Sequence, residues 1–308
     1  MNNQPLLDDL ALFRIVVRQH SFAAAARETG LSKAAVSKRI GLLEDALQTR
    51  LMHRTTRALA LTPQGEIVLQ WAERILDDVG AMREDITREK GTVSGMIRLC
   101  SSSGFGRNQL APALSAMARD FPRLEFQLEL LDRPVDLVGE GFQLDIRVGA
   151  VATGNLICRR IAPNRRVLCA APGYLQRHGS PAAPEELSQH QCITIRERDQ
   201  EFGHWTLQSA SGTCRVKVKG SLSTSNGEIA RAWALDGHGI ILRSVWNIAT
   251  DLQHGALVHI LPDYAQPADV YAAYPERLAS SARLRTCVEF LEAWFSEQHE
   301  HAGSMLSA

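Results

Sequence analysis

The chain has 308 residues, of which 45% are hydrophobic and 22% are charged, and its formal net charge at pH 7 is +0. This composition is that of a water-soluble folded protein, and the length suits about two or three domains. No run of about eighteen apolar residues offers a membrane span, and residues 1–9 lack the basic and apolar regions of a secretion signal. We therefore expect a cytoplasmic protein without a membrane partner.

Cysteine usage argues against a disulfide framework or a metal site. The cysteines are far apart and include no Cys-x-x-Cys pair: Cys100, Cys158, Cys169, Cys192, Cys214 and Cys287. A zinc module needs closer and more regular spacing, so we expect reduced, half-buried thiols. His299 and His301 are interpreted as part of a frayed polar terminus rather than as metal ligands. No cofactor and no metal are expected.

The zero net charge hides a segregation of charge along the chain. Residues 14–57 carry nine Lys and Arg but three acids, whereas residues 62–90 carry four basic residues and seven acids. Clustered cations release counterions from phosphates, so a basic N-terminal region indicates nucleic-acid binding. A basic face that is merely solvated is the alternative, which charge alone does not exclude.

Three helices are predicted within this basic region. Apolar residues at helical spacing predict helices over 6–18 and 32–47, and Ser21 is a suitable N-cap for a short helix over 22–28. Gly30 supplies the turn between the second and third helices, because a tight connection often needs a positive φ.

The second and third helices predict a helix-turn-helix. The small side chains of residues 23–26 permit close approach of a neighbouring helix. With the apolar face of the third helix turned inward, its outward side chains are of types that bind base edges and phosphates: Ser32, Lys33, Ser37 and Lys38.

A wing and a long helix are predicted next. Residues 50–61, RLMHRTTRALAL, predict two short strands, after which Thr62 and Pro63 begin a helix that runs to about residue 90. Packing of the helix on its own domain is one interpretation. The spacing of its apolar residues is close to a coiled-coil seam and favours pairing with a second subunit: Val68, Trp71, Ile75, Val79, Met82 and Ile86.

Strands alternate with helices after a hinge-like segment, GTVSG, at residues 91–95. This alternation predicts an α/β region with mostly parallel sheets, of a size for two small lobes with a cleft between them. Strands are predicted at MIRLC, LEFQLELLD, LDIRVG, VLCAAP, ITIRE, WTL, VKVKGSLS and GIILR, and helices over 110–120, 134–140, near Tyr174, 226–235 and 284–297.

Over essentially its whole length the chain resembles the LysR-type transcriptional regulators. The match is densest in SFAAAARETGLSKAAVSKRIGLLEDALQTRLMHRTTRALALTPQGE, residues 21–66. The resemblance implies an α+β multidomain chain: a winged helix-turn-helix over 1–61, a dimerising linker helix over 62–90, and a two-lobed α/β effector-binding domain over 91–308 that resembles periplasmic binding proteins.

The resemblance also implies partners and contact residues. A LysR-type regulator binds double-stranded promoter DNA as a homodimer or homotetramer under the control of a small effector, and RNA polymerase is a further candidate partner. The DNA-contacting positions carried onto this chain are Ser32, Lys33, Ala34, Ser37, Lys38 and Arg39, with Arg54 and Arg57 in the wing.

The C-terminal half is similar to one subgroup of the family, the regulators of L-tartrate dehydratase and of D-malate catabolism. The similar segments are MIRLCSSSGFGRNQLAP, LLDRPVDLVGEGFQLDIRVG, CAAPGYL and WALDGHGIILRS. This similarity implies a small hydroxy-dicarboxylate as the effector.

An effector site is expected where strands end, because ligands of open α/β sheets bind beyond the carboxyl ends of strands. Two loops meet this condition, Ser102–Ser103–Gly104 and Ser225–Asn226. Arginines near strand ends are candidates to clamp a carboxylate: Arg133, Arg147, Arg196 and Arg198. Arg147 also matches a position where family members often place a ligand-binding arginine. A surface or domain-closing ion pair is the alternative for each.

Other classes of function are weighed against this one. No Gly-x-Ser-x-Gly elbow, P-loop, Gly-x-Gly-x-x-Gly after a strand or His-Glu-x-x-His occurs, so an enzyme is not expected. A function as a small-molecule binding protein without DNA binding would not explain the basic N-terminal region. An architectural DNA binder without effector control does not need so large a C-terminal region.

Overall fold

The chain divides into two units, residues 1–90 and residues 91–308, which are treated separately below. This computed structural model describes residues 7–54, 59–86, 93–149, 156–196, 202–279 and 281–303.

Three helices of the first unit pack around one apolar core, as the sequence predicts. They are α1 (Leu7–Arg18), α2 (Phe22–Thr29) and α3 (Lys33–Ala46). The hydroxyl of Ser21 accepts a hydrogen bond from the Ala24 N–H and so begins α2, and Gly30 ends it with a φ of 69°. The core residues are buried: Leu10, Phe13, Val16, Ala25, Val36, Ile40 and Leu43.

The wing strands and the long helix follow. Strands β1 (Met52–Arg54) and β2 (Leu59–Leu61) pair antiparallel, with Met52 opposite Leu61. Helix α4 spans Pro63–Ile86. The hydroxyl of Thr62 accepts a hydrogen bond of 2.9 Å from the Gly65 N–H, which confirms the predicted N-cap.

No helix in the described part of the chain is both long and apolar enough to cross a lipid bilayer.

The second unit contains two lobes, each built on a five-stranded sheet. The sheet of the first lobe has the order β4-β3-β5-β14-β6. Helices α6 and α10 pack on it through an apolar core that includes Ile97, Leu99 and Leu291. The elements of this lobe are β3 (Gly95–Ser101), α5 (Ser103–Phe105), a π-helical turn (Gly106–Leu110), α6 (Ala111–Asp120), β4 (Leu124–Leu130), β5 (Leu144–Val148), β6 (Leu156–Ala162), β14 (Val270–Pro275) and α10 (Ala282–Gly303).

The second lobe is inserted between β6 and β14. Its sheet has the order β10-β9-β13-β7-β12, and a separate two-stranded sheet pairs β8 with β11. The elements are β7 (Arg165–Ala170), α7 (Pro172–His178), β8 (Thr194–Ile195), β9 (His204–Ser209), β10 (Gly212–Lys217), β11 (Ser223–Thr224), α8 (Gly227–Leu235), β12 (Ile241–Ser244), α9 (Val245–Gln253) and β13 (Val258–Pro267). Short 3₁₀ helices lie at Pro184–Gln189 and, in the first lobe, at Glu276–Leu278.

The expectation of mostly parallel sheets is wrong. In the first lobe only β3 pairs parallel with its neighbours, while β14 runs antiparallel to β5 and β6. In the second lobe every pair of the five-stranded sheet is antiparallel. The reason is that β13 runs antiparallel to its neighbours in the second lobe and β14 to its neighbours in the first. Neither strand was recognised in the sequence.

The short helix expected over 134–140 is also wrong, because this segment forms turns. The carboxylate of Asp136 accepts the Gly139 N–H at 2.9 Å, and Gly141 adopts a φ of 74°. Side-chain hydrogen bonds to nearby backbone compete with helix formation, and glycine at a positive φ ends it.

The chain passes between the lobes twice, at Asn164 and at Ala268–Asp269, and these crossings are hydrogen-bonded to each other. The Asn164 N–H donates to the Asp269 carboxylate at 2.9 Å, and the Ala268 N–H donates to the Asn164 carbonyl at 3.0 Å. The side-chain amide of Asn164 also donates to the Ala268 carbonyl at 2.8 Å. We call this group of hydrogen-bonded residues, Asn164 and Ala268–Asp269, the hinge of the second unit.

Two glycines of the first unit offer a matched test of its packing. A β-carbon at Gly65 would overlap the backbone carbonyl of Leu51, whereas one at Gly41 would meet nothing within 4 Å. We expect Gly65→Ala to destabilise the unit by about 1–3 kcal/mol and Gly41→Ala to stabilise it by about 0.5–1 kcal/mol. Thermal unfolding monitored by calorimetry measures both. Equal effects of the two substitutions would contradict this packing.

Candidate functional site

The outward face of α3 is a candidate DNA-binding surface. Lys33, Ala34 and Lys38 are exposed, and Ser37 is half-buried. The Ser32 hydroxyl accepts the Ala35 N–H at 3.1 Å, so it caps the helix from its exposed position. A face with two lysines and small side chains suits close approach to a phosphate backbone.

Arg39 lies at the edge of this face and is already paired. Its Nε donates to the Asp9 carboxylate of α1 at 2.6 Å, and the arginine side chain is about one third exposed. This ion pair ties α3 to α1, so Arg39 has a structural contact besides the predicted contact with DNA. In the wing, Arg54 ends β1, and Arg57 lies outside the described residues.

A buried carboxylate, which the sequence reasoning missed, joins α3 to the base of the wing. Glu44 is only 3% exposed. One of its oxygens accepts the N–H groups of Leu51 and Met52 at 2.9 and 3.4 Å, and the other accepts Arg50 Nη1 at 3.0 Å. The available signal was the position of Glu44 directly after Leu43 of the apolar face and just before the wing, because an acid that becomes buried there must find hydrogen-bond donors.

The other end of the wing is fixed to α4. The Thr62 hydroxyl donates to the Arg50 carbonyl at 2.6 Å, and the Thr62 N–H donates to the Leu51 carbonyl at 3.0 Å. Both ends of the wing are therefore held by α3 and α4.

The two loops expected to cradle an effector lie together where the two lobes meet, at a junction that we call the cleft. Ser102 precedes α5 with extended backbone, and the Ser103 N–H donates to the Asp132 carboxylate at 2.8 Å. Asn226 caps α8, and its Nδ2 donates to the other oxygen of Asp132 at 3.1 Å. Ser225 is exposed beside it. Asp132 was not expected, although it follows β4, the parallel neighbour of β3, whose end carries Ser102.

Two of the predicted effector arginines are engaged by acids of the chain itself. Arg133 is exposed and donates to both carboxylate oxygens of Glu140, at 2.8 and 2.5 Å; these hydrogen bonds raise the pKa of Arg133 and lower that of Glu140. Arg147 is nearly buried and donates to the fully buried Asp145 at 2.5 Å. Their roles as carboxylate clamps stay predictions.

The remaining predicted arginines are placed differently. Arg196 is exposed, and its guanidinium carbon lies 5.3 Å from the centre of the Phe202 ring. Its backbone N–H donates to the Thr224 carbonyl at 2.8 Å, which holds the residue near the loop of Ser225. Arg198 lies outside the described residues.

The sequence reasoning missed two arginines of the second lobe, Arg166 and Arg243, which are 4% and 6% exposed. Arg243 lies next to the last residue of β12 and against Gly227, where a β-carbon would overlap its guanidinium. It donates twice to the Asn247 side chain, at 3.0 and 2.8 Å. Arg166 reaches across to the first lobe and donates to the Val148 carbonyl at 3.4 Å. GIILRS places Arg243 at a strand end, which was the available signal.

The cysteines are free thiols, of which Cys158 and Cys214 are half-buried and the other four buried. Burial raises the pKa of Cys169, Cys192 and Cys287 to about 12. Such thiols stay protonated near neutral pH and are poor nucleophiles and metal ligands. In the described part of the chain no cluster of three or more His, Cys, Asp and Glu is placed to hold a metal ion.

A basic helix-turn-helix joined to a two-lobed domain with a polar cleft defines a DNA-binding regulator with a ligand-binding domain. Two family models match the chain: "Bacterial regulatory helix-turn-helix protein, lysR family" over residues 7–66 and "LysR substrate binding domain" over residues 90–296. The chain belongs to the LysR family of transcriptional regulators, and it is a regulator rather than an enzyme.

Curated relatives and solved structures agree with this family. The chain is 48% identical to the HTH-type transcriptional regulator DmlR of Escherichia coli K12, over 98% of this chain and 100% of that protein. It is 42% identical to the HTH-type transcriptional activator TtdR of the same strain, over 97% and 96%. The full-length Vibrio cholerae virulence activator AphB is 30% identical with a TM-score of 0.57, covering 93% of this chain and 98% of AphB. For CrgA of Neisseria meningitidis the identity is 28% and the TM-score 0.58, over 94% and 98%.

Lys38 tests the recognition face. We expect Lys38→Ala to weaken binding to duplex DNA and to reduce the slope of log affinity against log salt by about 1, because one phosphate contact is lost. Fluorescence anisotropy with a duplex from upstream of its own gene, at several salt concentrations, measures this. Lys217→Ala, on an exposed strand residue of the second unit, is the control. An unchanged slope would contradict a phosphate contact at Lys38.

Glu44 tests the attachment of the wing. Glu44→Ala leaves two backbone N–H groups without their acceptor and should cost about 1–3 kcal/mol of stability and lower DNA affinity. Glu44→Gln keeps an acceptor oxygen and should lose much less. Thermal unfolding and anisotropy measure both effects, with the exposed neighbour Asp45→Ala as the control. Equal losses of stability and affinity in Glu44→Gln and Glu44→Ala would contradict a role of Glu44 as acceptor for the backbone N–H groups.

Proposed function

We propose that this chain controls promoter binding in response to a small hydroxy-dicarboxylate held between the lobes of its second unit. The observation that carries the proposal is the meeting of two donor loops beside Arg243. Ser103 and Asn226 face each other across the cleft, and Arg243 lies behind Gly227 at the start of α8. Backbone and amide donors with arginine are the groups that bind carboxylates.

The class of effector is proposed from similarity. The subgroup resemblance in the C-terminal half and the identity to DmlR and TtdR support an acid of the malate or tartrate kind. A hydroxyl between two carboxylates would find hydrogen-bonding side chains in the cleft, among them Asn247 and Glu228, whose amide and carboxylate lie 2.7 Å apart.

The effector is proposed to act through the hinge. The polypeptide crosses between the lobes at Asn164 and at Ala268–Asp269, and binding of an effector between the lobes favours one lobe arrangement over another, which is a population shift. A shifted arrangement changes how subunits pair and how their two DNA-binding units are spaced along the DNA. We place this activity in the cytoplasm, where the promoter DNA lies.

Pairing of subunits is proposed to use α4, within a domain arrangement of residues 1–61, 62–90 and 91–308. Trp71 is 56% and Met82 52% exposed, and Ile75 is also exposed on this helix. Large apolar side chains at coiled-coil spacing favour a second copy of the helix as the partner, giving a dimer and, through pairs of dimers, a tetramer.

A panel of acids tests the effector class. We expect D-malate or L-tartrate to raise the melting temperature of the purified chain, with about 2.7 kcal/mol of added stability at one hundred times the dissociation constant. Succinate, which lacks the hydroxyl, should bind more weakly. Arg243→Gln should lower affinity at least tenfold, which is about 1.4 kcal/mol. Lys217→Gln, at an exposed residue of β10, is the control and should leave affinity unchanged.

Two outcomes would contradict the proposal. No shift with any hydroxy-dicarboxylate at millimolar concentration would remove this class of effector. A shift that survives Arg243→Gln unchanged would place the acid outside the cleft.

A further inference from the structure

A carboxylate of the chain itself lies between the two loops of the cleft. Asp132 follows β4 in the first lobe and is half-buried. One of its oxygens accepts the Ser103 N–H at 2.8 Å within the first lobe, and the other accepts Asn226 Nδ2 of the second lobe at 3.1 Å. Asp132 therefore hydrogen-bonds both lobes at once.

The orientation of the Asn226 amide follows from its other contacts. Its Oδ1 accepts the N–H groups of Glu228 and Ile229 at 2.9 and 3.3 Å. Turning the amide over would point its NH₂ group at these two donors, which hydrogen-bonding rules forbid. The NH₂ group must face Asp132, so the contact between the lobes has a defined donor and a defined acceptor.

Neighbouring contacts also join the lobes here. The rings of Phe105 and Trp246 meet edge to face with their centres 5.4 Å apart. Gly104 has no side chain, and a β-carbon there would lie 3.1 Å from the Glu228 carboxylate. The second lobe thus lies directly on α5, and Asp132 is a charged group at this junction that hydrogen-bonds both lobes.

We propose that Asp132 is a clasp that holds the lobes together without effector, and that an effector carboxylate competes with it for the Ser103 N–H and the Asn226 amide. This inference rests on the proposed function, since it assigns the regulation of the same cleft. Hydrogen bonds to an ionised acceptor are about twice as strong as neutral ones, so breaking the clasp changes the balance of lobe arrangements. A free carboxylate presents the same two acceptor oxygens as the side chain it replaces.

An exchange of the two side chains tests the clasp. Asp132→Asn leaves one acceptor oxygen for two donors, so its NH₂ group faces either the Asn226 NH₂ group or the Ser103 N–H. Asn226→Asp keeps the cap on α8 but sets two carboxylates face to face. With both substitutions the amide at position 132 donates to the carboxylate at position 226 and its oxygen still accepts the Ser103 N–H, so the pair is restored with donor and acceptor exchanged. The measurement is hydrogen–deuterium exchange of the full chain at residues 102–105 and 225–229, without effector.

We expect each single substitution to speed exchange on the order of tenfold or more in both segments, and the combined exchange of side chains to restore most of the protection. Glu125→Gln, at an exposed residue of β4, is the control and should change neither segment. A combined variant no better than the singles would overturn the clasp. Faster exchange in the first-lobe segment alone would also overturn it, because Asp132 would then serve only its own lobe.

Sodium formate tests the competition. In Asp132→Ala we expect formate to restore protection of both segments in a saturable way, whereas sodium chloride at the same ionic strength does not. No recovery with formate would overturn the competition between Asp132 and a free carboxylate. Neither arm uses malate or tartrate, so a failure of those acids to bind would contradict the proposed function and leave the result on the clasp intact.

Discussion

The second unit depends on the pair of crossings at Asn164 and Ala268–Asp269. The second lobe is an insertion within the first, so the chain must leave and return at adjacent points. Hydrogen bonds between the crossings hold β6 next to β14 in one sheet and β7 next to β13 in the other. The Asp269 carboxylate also pairs with Arg160 at 2.6 Å. With the lobes connected at these crossings, the loops of Ser103 and Asn226 meet at Asp132.

Two acidic side chains connect parts of this DNA-binding protein that act together. Glu44 accepts backbone N–H groups at the base of the wing, and Asp132 accepts a backbone N–H and an amide between the lobes. A carboxylate suits both positions because its two oxygens can accept hydrogen bonds from donors on different elements at once. Asp145 in turn engages Arg147, so an incoming anion would meet arginines that already have partners.

The DNA-binding unit could be predicted from the sequence almost residue by residue, because its signals are local. Ser21, Gly30 and Thr62 act on backbone within a few residues of themselves, and helical spacing identifies the buried face. The cleft could be predicted only in outline. The loops of Ser102 and Asn226 were found from strand ends, but Arg243, Asp132 and the strand β14 were not, since each depends on partners far away in the chain.

The sequence by itself determined the family, the recognition helix and the existence of two lobes, because periodicity, caps and a dense motif are properties of neighbouring residues. The tertiary structure decided the direction of the sheet strands, the partners of Arg39, Arg133 and Arg147, and the meeting of Ser103, Asp132 and Asn226. The physical reason is that a hydrogen bond between residues about a hundred positions apart depends on how the elements pack, which no local pattern encodes.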